Sequence, residues 1–577
     1  MQLNIINNTD IKTEVSMNEN KNGIFYFTFK AINSEHCKNI GIISAEFKYP
    51  YAKAFSAWNS NCNFSRALGP DWRMNIANSR IASGSPMQQI IGANGENVIN
   101  ISVLDAKTPL EIKTGVIEET GELLCRVDFF TIPISPFETY ETQIRIDVSD
   151  RRYEECMREV RDWWRNCGNY YESYVPECAK QPMYSAWYSF HQKLSSEGLV
   201  KQCRLAKELG MEMIIIDDGW QTEDNNRGYS YCGDWKLAKC KIPDMRKLVD
   251  EIHDIGMKVM LWFSVPFIGE HSEAFDKFKD KIINMQEKEG FGSIDIRYGE
   301  CRKYLINIYR QAIIDWDLDG LKLDFIDSFA YPENDKPDSA RDTESIEDAV
   351  EILLEEIHSE LTKIKPDICF EFRQSYVGPA VAKCGNILRV ADCPADPIKN
   401  RLGSADIRFL SGKTPVHSDM LMWDLSDTPE NAAMQFVNSM FCVPQISVLI
   451  DKLPEKHIKM LRYYLNVWKN NSDIILNGIF RADNPESNYS LLSCELNGRL
   501  FAALYTNSLI EIDKNLSDII LINGTGREKI YADFQTNMNY NYVVTDCMGT
   551  AVGTGKISGL AEINVPKSGI VKLTAEH

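Results

Sequence analysis

Two short apolar runs that end in carboxylates are the part of this chain best suited to chemistry. The run MIII at residues 213–216 leads directly into Asp217 and Asp218, and the run LKLD at residues 321–324 ends in Asp324. A strand buried on both faces reads as a continuous, largely β-branched apolar run, and (β/α) barrels keep their chemistry at the C-terminal ends of such strands. Paired carboxylates with a nearby tryptophan such as Trp220 indicate chemistry on sugars.

Lys322 and Asp324 stand two residues apart on the predicted strand and therefore point to the same face, the barrel interior. An ammonium group beside a carboxylate stabilises the ionised form and lowers the carboxyl pKa. An ionised, immobilised aspartate is what covalent attack on the anomeric carbon of a sugar requires. The alternative is a structural Lys–Asp ion pair between barrel layers, because such pairs also perturb pKa values without catalysis.

A second carboxyl group must protonate the leaving oxygen, and for that role its pKa must be raised. Asp392 follows the strand-like run LRVA at residues 388–391, and Asp396 is the fallback for the same role. The alternative for Asp392 is a turn-capping side chain shortly before Pro394.

Composition excludes several classes of protein. At 577 residues the chain predicts two to four domains, and a net charge of −19 argues against nucleic acid as a partner. The N-terminus lacks the basic start and apolar run of a signal peptide, and no apolar run reaches membrane-spanning length. The 16 cysteines include no C-x-x-C pair, which predicts free thiols in a reducing cytoplasm. Nothing in the chain calls for a metal or an organic cofactor.

The periodicity of apolar residues divides the chain into four segments. Residues 1–150 predict an N-terminal β-sandwich, 151–181 a helical connector, 182–472 a (β/α)8 TIM barrel, and 473–577 a small C-terminal all-β domain. Eight strand-like runs alternate with helical stretches in the third segment, at residues 183–190, 213–216, 258–265, 321–326, 368–372, 387–391, 415–422 and 446–450.

Six short motifs follow one another along the predicted barrel. They are SAW at 185–187, IDDGW at 216–220, GDW at 233–235, GMK at 256–258 with LW at 261–262, KLD at 322–324, and VAD at 390–392. In this order and spacing, over residues 182–470, the chain resembles glycoside hydrolase family 36, the α-galactosidase group. Several motifs in one order are far more specific than any one of them alone.

The resemblance implies a role for each motif residue. Asp324 would be the nucleophile and Asp392 the general acid/base, and Asp217 with Asp218 would hold sugar hydroxyls away from the scissile bond. Lys322, Trp187 and Trp262 would shape the pocket. The alternative for Trp187, Trp262 and Trp220 is packing in the core.

The chain departs from the family where a cysteine and a glycine-rich run are usual, because it carries EFRQSYVGP at residues 371–379. Arg373 is therefore expected to contact the sugar near its 2-position, where its bulk would exclude an acetamido group. The alternative is an arginine of the pocket wall, ion-paired with Glu371. His417 and Asp419 are expected to form a supporting pair on the seventh strand.

These observations predict a retaining, exo-acting α-glycosidase, an α-galactosidase above all, that hydrolyses α-linked oligosaccharides or glycosides. Three alternatives stay open: another sugar specificity with the same mechanism, a transglycosylase, and a catalytically silent sugar-binding protein. The resemblance also implies a homo-oligomer.

Overall fold

The computed structural model describes residues 1–34, 40–51, 53–134 and 136–576. Two antiparallel sheets precede a barrel of eight parallel strands, and two further sheets follow it. The predicted fold class, a (β/α)8 barrel between two β regions, is thereby confirmed.

The N-terminal region is a sandwich of two six-stranded sheets, ordered β1-β4-β11-β10-β6-β7 and β2-β3-β12-β9-β8-β5. Alternating apolar side chains of both sheets meet in one core, where the rings of Phe29 and Phe129 stack at 4.3 Å. The strands are β1 (Asn4–Asn7), β2 (Lys12–Lys21), β3 (Ile24–Ile32), β4 (Ile43–Pro50), β5 (Ala54–Trp58), β6 (Asn75–Arg80), β7 (Ser83–Gly84), β8 (Met87–Gly92), β9 (Asn97–Val103), β10 (Leu110–Val116), β11 (Glu122–Phe129) and β12 (Thr139–Asp147).

A single helix, α1 (Tyr153–Gly168), leads from the sandwich towards the barrel. Its buried Trp164 donates a hydrogen bond of 2.7 Å to the carbonyl of Val103 at the end of β9. The helix ends at Asn169, which adopts the left-handed conformation that often closes helices.

The barrel strands begin within one residue of the predicted runs, but the sixth ends at Arg389 instead of residue 391 and the eighth at Ile446 instead of residue 450. Their order is β22-β21-β20-β19-β15-β14-β13-β23, and the amide of Val443 donates to the carbonyl of Val416 at 2.8 Å, which joins the two ends into a closed ring. The strands of this segment are β13 (Met183–Ser185), β14 (Met213–Ile216), β15 (Lys258–Ser264), β16 (Phe267–Gly269), β17 (Ile282–Gln286), β18 (Phe291–Ile294), β19 (Gly320–Asp324), β20 (Cys369–Arg373), β21 (Ile387–Arg389), β22 (Val416–His417) and β23 (Gln445–Ile446).

Three further details of the barrel differ from the sequence prediction. The first strand is short because the chain turns into helix α2 at Trp187. The seventh ends after His417. The amide of Asp419 donates to the side-chain oxygen of Asn400 at 3.0 Å instead of to a neighbouring strand. Strands β16, β17 and β18 form a separate antiparallel sheet between the third and fourth barrel strands, which periodicity did not predict.

Several helices around the barrel begin at polar caps that accept a hydrogen bond from the first turn, for example Ser195, Ser345 and Thr428. Within the described parts of the chain, every helix is too short or too polar to span a membrane. The helices are α2 (Trp187–Phe190), α3 (Ser196–Glu208), α4 (Met245–Ile255), α5 (Glu273–Lys277), α6 (Gly299–Trp316), α7 (Ile346–Ile364), α8 (Pro379–Ala382), α9 (Pro397–Arg408), α10 (Pro429–Ser439), α11 (Glu455–Asn470) and α12 (Ser472–Asn477).

The C-terminal region has a seven-stranded sheet, β24-β25-β26-β28-β33-β30-β31, and a three-stranded sheet, β27-β29-β32, around a core of their own. The strands are β24 (Ile479–Asp483), β25 (Leu491–Leu496), β26 (Arg499–Leu504), β27 (Leu509–Ile512), β28 (Asp518–Asn523), β29 (Lys529–Phe534), β30 (Tyr540–Thr545), β31 (Ala551–Ile557), β32 (Gly559–Asn564) and β33 (Ile570–Ala575).

Asp406 on α9 connects all three regions. Its carboxylate accepts two bonds from Arg66 at 3.0 and 2.8 Å, one from Trp58 at 2.8 Å, and one from Tyr489 at 2.6 Å. Arg66 and Trp58 belong to the sandwich, and Tyr489 lies beside β25. All four side chains are buried, so both charges depend on each other for solvation.

We expect Asp406→Ala to lower the free energy of unfolding by about 3–5 kcal/mol, because it leaves the Arg66 guanidinium buried without a counter-charge. Chemical denaturation followed by tryptophan fluorescence measures the change. The matched control is Asp250→Ala, which breaks the exposed Arg246–Asp250 pair and should cost less than about 1 kcal/mol. Equal effects of the two variants would contradict the proposed role of the buried pair.

Candidate active site

Asp324 ends strand β19 at the mouth of the barrel, and every donor around its carboxylate is fixed by the fold. Its Oδ1 accepts bonds from Arg373 Nε at 2.6 Å, Tyr376 Oη at 3.2 Å and the amide of Phe325 at 2.8 Å. Its Oδ2 accepts a bond from Trp262 Nε1 at 3.1 Å. The carboxylate is therefore immobile, and Oδ2 is the less occupied of its two oxygens.

The positive charges around Asp324 keep it ionised. Burial alone would raise its pKa, but Arg373, then Lys322 and Arg389, outweigh burial and hold the pKa well below its usual range. The sequence prediction named Lys322 as the partner of Asp324. In the structure Arg373 is the direct partner, and Lys322 acts from further away.

Lys322 bonds to Asp217 instead, with Nζ 2.7 Å from Oδ2. The neighbouring Asp218 accepts bonds from Gln192 at 2.8 Å and from Gln221 at 2.7 Å, and its burial raises its pKa to about 6. The predicted pair Asp217–Asp218 thus lies beside Lys322 at the end of β14, two strands from Asp324 in the ring. Carboxylates held in this way can accept bonds from sugar hydroxyls.

The three tryptophans named from the sequence have different surroundings. Trp262 is buried and contacts Asp324 directly, whereas Trp187 is half-buried with its ring 4.8 Å from that of His191. Trp220 is fully buried, donates to the carbonyl of Trp262 at 2.8 Å, and packs on Trp235 and Phe263. For Trp220 the core-packing alternative is correct.

Asp392 lies three residues beyond the end of β21, and its side chain is 56% exposed. Its Oδ1 accepts a bond of 3.0 Å from Arg389. Desolvation and the charge of Asp324 raise the pKa of Asp392, but Arg389 and then Lys322 outweigh them, so the pKa lies below its ordinary value. The expected raised pKa of this acid is therefore wrong for the free protein, because Arg389 stands beside it.

Asp396, the fallback for the same role, accepts a bond of 2.9 Å from the amide of Lys399 and caps the N-terminus of α9. Because the Asp396 carboxylate caps a helix, Asp392 is favoured over Asp396 for the acid/base role.

Arg389 is the centre of a buried network that the sequence analysis missed. Its guanidinium lies 2.5 Å from Asp419, 3.0 Å from Asp392 and 3.3 Å from Glu371. Tyr188 and the amide of Cys393 also donate to Asp419, at 2.9 and 2.6 Å. Position 389 reads as an interior position of β21, so an arginine there was a signal for a buried counter-charge.

The predicted pair of His417 and Asp419 is wrong, because the two side chains have different partners. His417 contacts the carbonyl of Ala179 at 2.7 Å and Gln445 at 3.2 Å, whereas Asp419 forms an ion pair with Arg389. The strand ends at His417, so Asp419 does not share its face, and the Asp419 carboxylate is free to reach Arg389.

The alternative prediction of an ion pair between Arg373 and Glu371 is wrong, because Arg373 pairs with Asp324. Besides Asp324, its guanidinium contacts the carbonyl of Gln374 at 2.7 Å and Asp327 at 3.5 Å. Its planar group lies 5.2 and 5.3 Å from the ring centres of Phe325 and Tyr376. Nη2 takes part in none of these bonds.

Over the part of the chain that the structure describes, no cluster of three or more His, Cys, Asp or Glu side chains could hold a metal ion.

Known α-galactosidases are similar to this chain in sequence and in fold. Residues 173–380, the part that holds β13 to β20, match the Melibiase family model. A stretch of 129 residues is 32% identical to the α-galactosidase Mel36A of Lactobacillus acidophilus, and one of 200 residues is 24% identical to AgaA of Geobacillus stearothermophilus. These alignments cover 21% and 32% of this chain but only 16% and 26% of the two relatives.

Solved structures extend the likeness to the whole chain. AgaA in complex with raffinose superposes with a TM-score of 0.63 at 14% identity, over 98% of this chain and 81% of AgaA. The α-galactosidase of Lactobacillus brevis gives a TM-score of 0.65 at 14% identity, over 100% of this chain and 86% of that one. This chain is similar to the α-galactosidases of glycoside hydrolase family 36. The α-galactosidase-like chain therefore shares both the barrel and the flanking β regions of these proteins.

Proposed function

We propose that the chain is a retaining, exo-acting α-glycoside hydrolase with α-galactosides as its substrates. The observation that carries the proposal is the setting of Asp324, a buried, ionised carboxylate held by four donors at the C-terminal end of a barrel strand. Asp392 is close enough to Asp324 for the negative charge of Asp324 to raise its pKa, although the opposing effects of Arg389 and Lys322 are larger.

In the first step Asp324 Oδ2 attacks the anomeric carbon and the bond to the leaving oxygen breaks. Asp392 donates its proton to that oxygen, so a neutral alcohol departs and a covalent glycosyl-enzyme remains. Arg389 lowers the pKa of Asp392 in the free protein, so the bound sugar must raise this pKa before Asp392 can act as an acid. A sugar bound against Asp392 excludes water and raises the carboxyl pKa.

In the second step Asp392, now a carboxylate, takes a proton from a water molecule that attacks the anomeric carbon. The bond to Asp324 breaks and the sugar leaves with the configuration that it had in the substrate. Arg373 stabilises the departing Asp324 carboxylate, because its Nε is already bonded to Oδ1.

The substrate class follows from the rest of the site. Asp217 and Asp218 offer acceptors to hydroxyl groups, and the half-buried Trp187 offers an apolar face to a pyranose ring. The buried Trp262 contributes through its bond to Asp324. The AgaA structures with raffinose and with stachyose show that this related protein binds α-galactoside oligosaccharides. We propose the same class of substrate for this chain.

Hydrolysis of a panel of nitrophenyl α-glycosides tests the proposal, with the galactoside, glucoside, N-acetylgalactosaminide and galacturonide compared. Turnover of the galactoside that disappears in Asp324→Asn supports it. Turnover of another sugar alone would overturn the specificity and keep the mechanism.

A silent sugar-binding protein is the second candidate, because arginines pair with both proposed catalytic carboxylates. It predicts equal sugar binding by the wild type and by Asp324→Asn, and no turnover of any substrate by either.

Arg373→Met is expected to lower kcat/KM for a galactoside by about 10- to 100-fold, because a charge-assisted hydrogen bond to the nucleophile is lost. The pKa of Asp324 rises without this cation, so the acidic limb of the pH profile, where the nucleophile becomes protonated, moves to higher pH. The pH dependence of kcat/KM measures both effects.

The control for Arg373 is Arg373→Lys, which keeps the charge but loses the planar donor group, and its acidic limb should move less. If Arg373 also excludes a 2-acetamido group, the smaller Arg373→Ala variant raises the ratio of N-acetylgalactosaminide to galactoside turnover. An unchanged ratio would contradict this second role.

A further inference from the structure

Two thiols meet at the end of the barrel opposite to the carboxylates. Cys369 is the first residue of β20, whose last residue, Arg373, contacts Asp324. Cys178 lies in a short 3-10 helix (Glu177–Lys180) that precedes the first barrel strand. Their Sγ atoms are 3.7 Å apart, which is van der Waals contact between two unbonded sulfurs. Of the cysteines that the structure describes, only these two lie in sulfur–sulfur contact.

The two thiols have unequal surroundings. Cys369 is fully buried among apolar side chains of the barrel floor, whereas Cys178 is only partly buried. The charged groups that face them are Lys258 on β15 and Asp319, which precedes β19. A small reagent can therefore reach Cys178 first, and Cys369 only through Cys178.

The electrostatics support the same order of reaction. The contact with the Cys369 thiol and the positive charge of Lys258 together lower the pKa of Cys178 against the opposing effects of burial and Asp319. The thiolate is the reactive form of a cysteine, so Cys178 is the nucleophile of the pair. Buried single cysteines behave in the opposite way, for example Cys203, whose burial raises its pKa to about 12.

We propose that Cys178 and Cys369 form a dithiol site that exchanges with low-molecular-weight disulfides, such as oxidised glutathione, and closes into a reversible disulfide. The site is separate from the proposed glycosidase chemistry, because it lies at the other end of β20.

Each step of the exchange is a thiol–disulfide substitution. The Cys178 thiolate attacks one sulfur of oxidised glutathione, a mixed disulfide forms, and a glutathione thiolate leaves. Cys369 then attacks Cys178 Sγ, its proton passes to the second departing glutathione thiolate, and the Cys178–Cys369 bond forms. Counted from the Cys178 thiolate, the protein pair loses two electrons and one proton, and one disulfide becomes one glutathione thiolate and one glutathione thiol.

The bond would tie the segment before the first barrel strand to the fifth barrel strand, across 190 intervening residues of chain. Closing so long a loop restricts the unfolded state, so the oxidised protein should melt about 2–5 °C higher than the reduced protein. Turnover should not change, because the geometry around Asp324 is untouched.

The test treats the full chain, purified in the reduced state, with oxidised glutathione and follows each cysteine by peptide mass spectrometry. We expect a Cys178–Cys369 cross-link in the wild type and loss of the link on addition of dithiothreitol. In Cys369→Ala the reaction should stop at a lasting mixed disulfide on Cys178. Cys167 and Cys240 are internal controls, because both are exposed and lie in no sulfur contact.

Two results would overturn the proposal. One is glutathione that stays on Cys178 of the wild type, as it does on Cys167 and Cys240. The other is a rate of reaction with oxidised glutathione at Cys178 that is no higher than the rates at Cys167 and Cys240, measured in wild-type protein whose native fold is verified by circular dichroism. Cys178→Ser, a change at a partly buried position, must abolish both the cross-link and the rise in melting temperature.

Discussion

Asp324→Asn is expected to lower kcat for every α-glycoside by at least about 10⁴-fold, because the amide cannot form the covalent glycosyl-enzyme. The amide keeps the shape of the carboxylate and can still accept from Trp262 or from Arg373. Loss of activity with unchanged circular dichroism therefore reports on chemistry and not on folding. Steady-state hydrolysis of the nitrophenyl α-galactoside measures the effect.

The smaller variant Asp324→Ala provides a positive test of the same role. Azide can enter the space of the lost carboxylate and displace the leaving group from an α-galactoside in one step. The product should be the β-configured glycosyl azide, since a single displacement inverts the anomeric centre. Retention of configuration, or full activity in either variant, would rule out Asp324 as the nucleophile.

Asp392→Ala is expected to slow the hydrolysis of natural oligosaccharides by about 10²- to 10⁴-fold, because their leaving alcohol needs a proton. Dinitrophenyl glycosides need no such help in the first step, so the covalent intermediate should accumulate with them. Azide should restore turnover of that intermediate, and here the product should be the α-configured glycosyl azide. Asp396→Ala is the matched control, because that carboxylate caps α9 and should change turnover little.

The pH dependence of the wild type follows from the contact between Arg389 and Asp392. Asp392 must be protonated to act as an acid, and Arg389 holds its pKa below the ordinary value in the free protein. For oligosaccharides kcat/KM should therefore fall as pH rises, from an acidic maximum. The kcat profile should fall at higher pH than the kcat/KM profile, because bound sugar raises the pKa. A dinitrophenyl glycoside should lack this dependence, and identical profiles for both substrates would contradict the assignment.

Local sequence patterns located the residues of the proposed site but only some of their contacts. Asp324, Asp217 and Asp218 were found because each stands at the end of a buried apolar run, and strand ends are visible as periodicity. Lys322 was found because it lies two residues before Asp324 on the same run. Tyr376 and Gln192, which bond Asp324 and Asp218, were missed because neither lies on such a run. Arg373 was noticed as a departure from a family pattern, but the sequence predicted either the sugar or Glu371 as its partner, and the structure shows Asp324.

The sequence by itself determined the order of the barrel strands and the carboxylates at their ends, because burial of a parallel strand leaves a record in consecutive residues. Only the tertiary structure decided which charges meet inside the ring. Asp324 pairs with Arg373 and Asp217 with Lys322, across strands that lie far apart in the chain, and Asp392 pairs with Arg389 at the end of its own strand. Those pairings depend on distances of a few ångström between strand ends, and periodicity along one strand contains no information about them.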